Sequence, residues 1–479
     1  MNAEERSKNV ASIWADDQLG RRSEANFVEK FLVDRHRARK KMGLTDAYTL
    51  AVDAKYGIGK SYFLRRLADQ LALTFPVAFI DAWADDTADD PFGALVFAVT
   101  EAMKDKLPEN QVEGTAMRSL RKAGGLLLAD GGRTVGRNLA KLSGRVLVKA
   151  AFGGGEDAQD ALGDALADIS DSVAERLTEK AMDAYRKRRD AVESFRTSLS
   201  DLMNVVEKNN GKIPLFIIVD ELDRCRPTYA VAMLEEVKHL FAVPDIVFIF
   251  GIYGKQLQAS IKALYGSEFE AGNYLRRFIQ REYELPDPDV EKFVLALVQQ
   301  HAIELDNVVL PPLDEVYEHR RLGPKPEEFA ELAAQMFTAA GMTARDIQHV
   351  MDFLAVFIAN WDGAMPVHAF WLIVQATTKV MGISIGNQLR ASSLPMKRTH
   401  HNDNTRRQIN INEYVRAFDT ALSLVPPYRA DFDSLSIEDY VLLELSNRRT
   451  TDQHPAMRAE LESYLERLND IGERFRLAL

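Results

Sequence analysis

The sequence has little cysteine and no long hydrophobic segment, and both absences restrict what the chain can be. Its single cysteine, Cys225, excludes an intramolecular disulfide and any metal site built from cysteine alone. No uninterrupted apolar run approaches the roughly 20 residues that span a bilayer. The N-terminal stretch MNAEERSKNVASIW contains no apolar run of signal-peptide length. We therefore expect a cytoplasmic protein that is at most peripheral to a membrane.

The chain also lacks an excess of positive charge. Its net charge is −11, whereas affinity for nucleic-acid backbones comes from clustered lysine and arginine. This balance argues against a protein that coats nucleic acid in general. A hydrophobic content of 46% and a charged content of 27% are ordinary for a globular protein, and 479 residues suffice for two or three domains.

Alternating strand and helix patterns predict an α/β fold with a parallel sheet flanked by helices. Runs of β-branched and aromatic residues predict strands over 48–54, 76–83, 215–220 and 245–254, and periodic segments predict helices over 61–73, 89–103 and 229–242. A further helix is expected over 24–42, with Phe27, Phe31 and Leu32 facing inward.

Two regions depart from this alternation. Residues 104–190 contain glycine clusters and long charged helical stretches, which predict a helical insertion. Beyond Pro286, prolines, 3.6-residue periodicity and the lack of strand patterns predict an all-helical C-terminal domain. The predicted domains are an N-terminal helix with the first part of the core (1–103), the insertion (104–190), the second part of the core (191–289) and the C-terminal domain (290–479).

The segment AKYGIGKS, from Ala54 to Ser61, predicts a phosphate-binding loop between a strand and a helix. A phosphate needs backbone N–H groups wrapped around it and a helix N-terminus aimed at it, and the two glycines give the loop that freedom. Lys60 would reach the β- and γ-phosphates, and the Ser61 hydroxyl would bind magnesium. The alternative is a glycine turn that only caps the helix. The residues predicted to contact the nucleotide are Ala54, Tyr56, Gly57, Ile58, Gly59, Lys60, Ser61 and Tyr62.

The segment LFIIVDELDRC, from Leu215 to Cys225, places two carboxylates directly after an apolar strand. Ligands bind at the carboxyl ends of the strands in open α/β sheets. Asp220 would hold magnesium through water, and Glu221 would polarise the attacking water, because a general base must lie beside the metal but not on it. Such acids alone are also typical of a solvated strand end. Together with the upstream GKS segment, they predict a nucleoside triphosphatase with Lys60 and Glu221 as catalytic residues.

Five segments, in this order, resemble the KAP family of P-loop NTPases: KYGIGKS, FIDAWADDTADDPFGAL, IIVDELDRCRP, VFIFGIYGKQL and YLRRFIQREYELP. The resemblance covers roughly residues 20–290, and its DAW and DELDRC segments are the most specific. It implies a P-loop NTPase that uses ATP and Mg²⁺. Because bacterial members of the family include phage-exclusion proteins, it also implies a role in antiviral defence, by analogy of fold.

The resemblance extends the site to several charged residues. Asp223 and Arg224 belong to the neighbourhood of the nucleotide. Arg277, together with Arg276, is a candidate γ-phosphate sensor or arginine finger, with a solvated helix face as the alternative. Residues 343–357 resemble a basic lid helix, in which Arg345 is a further sensor candidate.

Three positions depart from the family pattern. Ala54 replaces the first glycine of the loop, and Tyr56 replaces the usual tryptophan. Tyr253 stands where the family commonly has aspartate, which puts a sensor role for that strand in question.

The insertion is where many KAP proteins carry transmembrane helices, but residues 104–190 contain no spanning segment. They do contain basic residues spaced four apart, which would form a stripe along one helix. This stripe is interpreted either as a solvated face or as a surface for anionic lipid or nucleic acid. Its members are Arg133, Arg137, Lys141, Arg145 and Lys149.

Three functional hypotheses remain open from the sequence. The first is an ATPase that works as a conformational switch or assembly engine, with a protein partner or self-assembly through its helical regions. The second is a scaffold that binds nucleotide without hydrolysing it. The third is an ATPase that acts on nucleic acid through residues 133–149.

Overall fold

A computed structural model describes residues 2–88, 90–104, 106–107, 114–129, 171–209, 211–240, 243–310, 323–361, 367–381, 393–397 and 406–410. These residues form two compact units. The first unit contains the residues up to Ala15, Arg22–Lys55 and the described part of Lys60–Leu285. The second contains Asp16–Arg21, Tyr56–Gly59 and the described residues from Pro286 onward.

A five-stranded parallel sheet forms the centre of the first unit, in the order β2-β3-β4-β1-β5. The strands are β1 (Tyr48–Asp53), β2 (Val77–Asp81), β3 (Leu215–Asp220), β4 (Ile246–Ile252) and β5 (Arg281–Glu284). Strands β3 and β4 are buried along their whole length, as expected of apolar runs in the middle of a parallel sheet. The predicted α/β architecture is confirmed. The edge strand β5 was not predicted, because its four residues are mostly charged and exposed.

The helices of the first unit are α1 (Ala3–Ile13), α2 (Arg21–Lys41), α3 (Lys60–Ala72), α4 (Ala82–Asp85), α5 (Pro91–Lys104), α6 (Thr115–Ala129), α7 (Asp171–Lys208), α8 (Pro227–Leu240), α9 (Gly254–Tyr265) and α10 (Ala271–Leu275), where Arg21 itself belongs to the second unit. Helix α3 follows the phosphate-binding loop and buries one apolar face, with Phe63, Leu64 and Leu67 fully inaccessible. Burial of this face anchors the first turn of α3, where Lys60 and Ser61 lie.

One expectation about helix α2 is wrong. Leu32 is fully buried, but 58% of Phe27 and 37% of Phe31 are exposed. The buried stripe is Ala25, Val28 and Leu32, whose three- and four-residue spacing defines the inner face. Phe27 and Phe31 lie four residues apart on a different face, where their rings stack on one another with centroids 6.4 Å apart.

The second unit contains helices α11 (Val290–Gln300), α12 (Pro326–Ala339), α13 (Ala344–Ala359) and α14 (Ala369–Met381), which share one hydrophobic core. The prediction that residues 290–479 are all-helical needs a correction. Val308–Val309 pairs with Val367–His368, and Ser393–Lys397 pairs with Arg406–Asn410. Two-residue strands are too short for a period of two to be visible in sequence, and the Ser393–Lys397 strand contains a proline, which argues against a strand.

Helix α7 is continuous from Asp171 to Lys208, so the predicted boundary at residue 190 is not a break in secondary structure. The domain limits at 103, 190 and 289 stay a prediction. The basic stripe of residues 133–149 lies outside the described residues. Within the described part of the chain, no helix is both long and apolar enough to cross a membrane.

Candidate nucleotide-binding site

The two sequence motifs follow strands whose carboxyl ends lie at the same edge of the sheet. The phosphate-binding loop follows β1, and Asp220 ends β3, with β4 between the two strands. Asp81, at the end of β2, lies opposite Asp220 in the register of the β2–β3 pair. Parallel strands bring their carboxyl ends to one edge, which is where open α/β sheets bind ligands. This topology supports the prediction that both motifs serve a single site.

The loop has the backbone conformation that its glycines predicted. Gly57 has φ 82° and Gly59 has φ 89°, in the left-handed region that side chains disfavour. A Cβ atom on Gly57 would lie 2.5 Å from Thr343 Oγ1, and one on Gly59 would lie 2.5 Å from Leu19 Cδ1. Ala54 begins the loop with its N–H bonded to Ile252 O at 3.0 Å. Because the backbone at position 54 does not have a positive φ, alanine replaces the family glycine there without strain.

Lys60 lies in the first turn of α3 with only 7% of its side chain exposed. Its Nζ atom is 3.5 Å from Asp223 Oδ1, and the side chain of Asp223 is 1% exposed. The second carboxylate oxygen of Asp223 is buried and has no hydrogen-bond partner among the described residues. A buried cation is stable only when acidic or acceptor groups compensate it, so Asp223 stabilises the buried lysine.

Asp220 is fully buried, and its surroundings fit a metal ligand. Oδ1 accepts the N–H of Glu221 at 2.9 Å, while Oδ2 is buried with no hydrogen-bond partner in the part of the chain that the structure describes. Gly251 on β4 makes this placement possible, because a Cβ there would lie 2.5 Å from Oδ1. Burial raises the pKa of Asp220, and the nearby Ser61 hydroxyl and Lys60 oppose that rise. A cation beside Oδ2 would compensate the buried charge, so the residues present fit magnesium.

Glu221 has a left-handed backbone, with φ 60° and ψ 26°, at the start of the 3₁₀ turn Leu222–Arg224. The Ser61 hydroxyl donates to its Oε1 at 3.3 Å, and the Arg224 guanidinium contacts its carboxylate at 3.1 Å. A glutamate rarely adopts this conformation, and such strain is concentrated at functional sites. The turn directs the Glu221 side chain toward Ser61, which brings the predicted base and the predicted metal ligand together.

An arginine–aspartate connection that the sequence did not predict lies beside this site. Arg226 donates to Asp86 through its backbone N–H at 3.1 Å and through Nε at 3.0 Å, and its Nη2 donates to Asp86 O. Arg224 also stacks over the ring of Trp83 at 5.9 Å. The sequence feature that could have predicted this connection is the opposite charge of two segments: acidic residues follow Trp83, and basic residues follow Asp223. The contact fixes the segment after β2 against the turn after β3.

The remaining predicted residues occupy different positions. The ring of Tyr62 contacts two side chains. Its centroid is 6.2 Å from the ring centroid of Trp14 and 4.3 Å from Cζ of the Arg66 guanidinium. Arg276 and Arg277 follow α10 and are exposed. Arg345 lies in the first turn of α13, and its backbone N–H donates to Gly57 O at 3.1 Å. The sensor roles of Arg276, Arg277 and Arg345 stay predictions.

Comparison with known proteins assigns the chain to a family. The model described as the KAP family P-loop domain matches residues 23–311, more than half of the chain. Among solved structures, the "Structure of C. elegans PCH-2" matches with a TM-score of 0.30 and 10% identity, over 78% of this chain and 73% of that one. A likeness of that size carries no argument about function. No curated protein matched the chain.

Proposed function

Because the chain belongs to the KAP family of P-loop NTPases, we propose that it hydrolyses a nucleoside triphosphate, with ATP and Mg²⁺ as its nucleotide and cofactor. The observation that carries this proposal is the buried Oδ2 of Asp220, which has no hydrogen-bond partner among the described residues although its carboxyl group interacts with Lys60 and Ser61. A domain that needed only to fold would gain nothing from a buried carboxylate with an uncompensated oxygen. A site for phosphate and a divalent cation needs that arrangement.

The residues of the chain have separate tasks in this proposal. Lys60 leaves Asp223 and pairs with the phosphates, while the loop amides bind the phosphate oxygens. The Ser61 hydroxyl and Asp220 would hold magnesium, which neutralises phosphate charge when bound. Glu221 accepts a proton from the attacking water. Arg277 is the proposed source of positive charge at the γ-phosphate.

The contacts of Glu221 support a role as a conformational switch. Its carboxylate pairs with Arg224 and accepts the Ser61 hydroxyl, so both oxygens have a protein partner. A general base must instead reach a water molecule. Hydrolysis therefore requires Glu221 to leave at least one of these partners, and nucleotide binding at Ser61 would cause that change. Such a cycle suits an assembly engine better than a passive scaffold.

The first experiment is steady-state phosphate release from ATP by the purified wild type and by Glu221→Gln. The exchange keeps the size of the side chain but removes the base, so release should fall by at least about 100-fold while ATP binding persists. DNA, RNA and anionic vesicles are added in separate assays to test residues 133–149. A wild type that binds ATP but releases no phosphate in any assay would contradict the proposal and favour the non-hydrolysing scaffold.

The proposed setting is the cytoplasm of a bacterium under attack by phage. This part of the proposal is supported by the family resemblance alone. It is tested by challenging bacteria that express wild type or Lys60→Ala with a panel of phages. Protection by the wild type only would support it, and equal plaque counts for both would contradict it.

A further inference from the structure

Arg21, the first residue of helix α2, is a buried arginine that contacts the phosphate-binding loop. It is 1% exposed. Its guanidinium donates to Ile58 O at 2.6 Å and to Pro286 O at 2.6 Å. Its backbone N–H donates to Asp17 Oδ1 at 2.9 Å, which fixes the start of the helix. The side chain therefore joins the loop to two other segments of the second unit.

The bond to Ile58 O determines the direction of the next amide in the loop. In a trans peptide unit, the C=O and N–H groups point in opposite directions. Because Arg21 holds the carbonyl of Ile58, the N–H of Gly59 points away from Arg21. The preceding peptide is held in the same way, since the N–H of Arg345 donates to Gly57 O at 3.1 Å and turns the N–H of Ile58 away from helix α13.

Two held carbonyls and two left-handed glycines are the backbone features that an anion-binding concavity of loop amides requires. Successive N–H groups in a backbone of alternating handedness converge on one point, where they bind phosphate. Gly57 and Gly59 supply the left-handed residues of that backbone. The donors from Arg21 and Arg345 satisfy the carbonyls that face away from the concavity.

We propose that Arg21 is a positioning residue for phosphate binding, which orients the Ile58–Gly59 peptide and adds a buried positive charge beside the loop. The inference rests on the function proposed above. At 1% exposure the guanidinium is held by its hydrogen bonds, and its charge would add to the attraction for a bound phosphate chain. Arginine suits the task because its planar guanidinium donates to two carbonyls at fixed angles, whereas a lysine ammonium has no such fork.

The test uses the full-length protein and a fluorescent ATP analogue. Its dissociation constant is measured for the wild type, Arg21→Met, Arg21→Lys and Arg22→Met. Arg22 is the matched control because it is the next residue on α2 and is exposed. Arg21→Met should weaken binding by about 30-fold or more and Arg21→Lys by about 10-fold, while Arg22→Met should change it less than about twofold.

A second readout separates positioning from general stability. Arg21→Ala leaves a space that free guanidinium ion at low millimolar concentration can enter, and the ion should restore affinity in that variant but not change the wild type. Rescue would support the proposal, because a protein that had merely lost stability would not regain phosphate affinity. Unchanged affinity in a folded Arg21→Met variant would overturn it.

Failure of the proposed function would be visible separately. If the wild type binds no nucleotide, that function is wrong, and hydrogen exchange of residues 54–61 in the nucleotide-free protein then decides the role of Arg21. Faster exchange of these amides in Arg21→Lys than in the wild type or Arg22→Met would support a role in ordering the loop. Equal rates would refute that role.

Discussion

The left-handed backbone of Glu221 allows a direct test of strain at the site. We compare Glu221→Ala with Glu221→Gly, both of which remove the contacts with Ser61 and Arg224. The difference between the two variants therefore reports the backbone alone. Alanine keeps the Cβ atom that disfavours φ 60°, whereas glycine does not.

The expected magnitude follows from two opposing effects. The left-handed conformation costs an L-residue about 1–2 kcal/mol. Glycine loses about 0.5–1 kcal/mol more conformational entropy than alanine on folding. The glycine variant should therefore have the larger free energy of unfolding, by about 0.5–1 kcal/mol.

The measurement is urea unfolding of both variants beside a control pair in an ordinary helix. Glu193 lies exposed within α7, where glycine should be less stable than alanine by about 1 kcal/mol. Glycine should thus give the more stable variant at position 221, and alanine should give the more stable variant at position 193. If alanine is the more stable residue at both positions, Glu221 is not strained and the argument from its backbone fails.

Three further predictions concern the site and the core. Lys60→Ala should abolish nucleotide binding in calorimetric titration, and wild-type affinity would refute the phosphate-site assignment. Burial raises the pKa of Asp220 in the folded protein above its value in the unfolded chain. The protonated carboxyl group therefore contributes to the free energy of unfolding at low pH, and this contribution is lost as the pH rises through the folded-state pKa. Asp220→Asn should therefore raise the free energy of unfolding at pH 7 by about 1 kcal/mol and remove the Mg²⁺ dependence of ATP binding; a less stable variant, or one with unchanged Mg²⁺ dependence, would contradict this. In chemical denaturation, Leu32→Ala should lower the free energy of unfolding by about 2–4 kcal/mol, whereas Phe27→Ser should lower it by less than about 1 kcal/mol. Equal losses for the two variants would contradict the assignment of the buried face of α2.

The elements that the sequence predicted well are those whose residues carry one strong signal. Strand β3 is apolar up to its last residue, Asp220, and β4 consists of apolar residues and one glycine, which is typical of strands that a parallel sheet buries on both faces. Edge strand β5 has no such pattern because three of its four residues are exposed, and the half-buried Tyr283 packs beside Phe27 instead of in an apolar core. Hydrophobicity alone does not identify the inward face of α2, because Phe27 and Leu32 lie five residues apart and therefore point to different faces of the helix.

The chemistry of the candidate site was predictable because the residue types are dictated by phosphate and magnesium. The arrangement of Arg21 was not, since a single arginine far upstream of the loop carries no pattern in sequence. Its role depends on a peptide orientation at Ile58 that only the folded backbone defines. The same holds for the bond between Arg226 and Asp86, whose residues lie in separate segments of the chain.

Three costly features meet in the short segment from Asp220 to Asp223. Asp220 and Asp223 each bury an oxygen that has no partner within the described ranges, and Glu221 between them has a left-handed backbone. Each feature lowers the stability of the folded protein, and none improves packing of the sheet. A bound cation and phosphate chain would compensate the first two and draw Glu221 away from Ser61. A ligand shifts a conformational equilibrium only by the difference between its affinities for the two conformations. Nucleotide binding can therefore shift the conformation of the protein most strongly through the segment Asp220–Asp223.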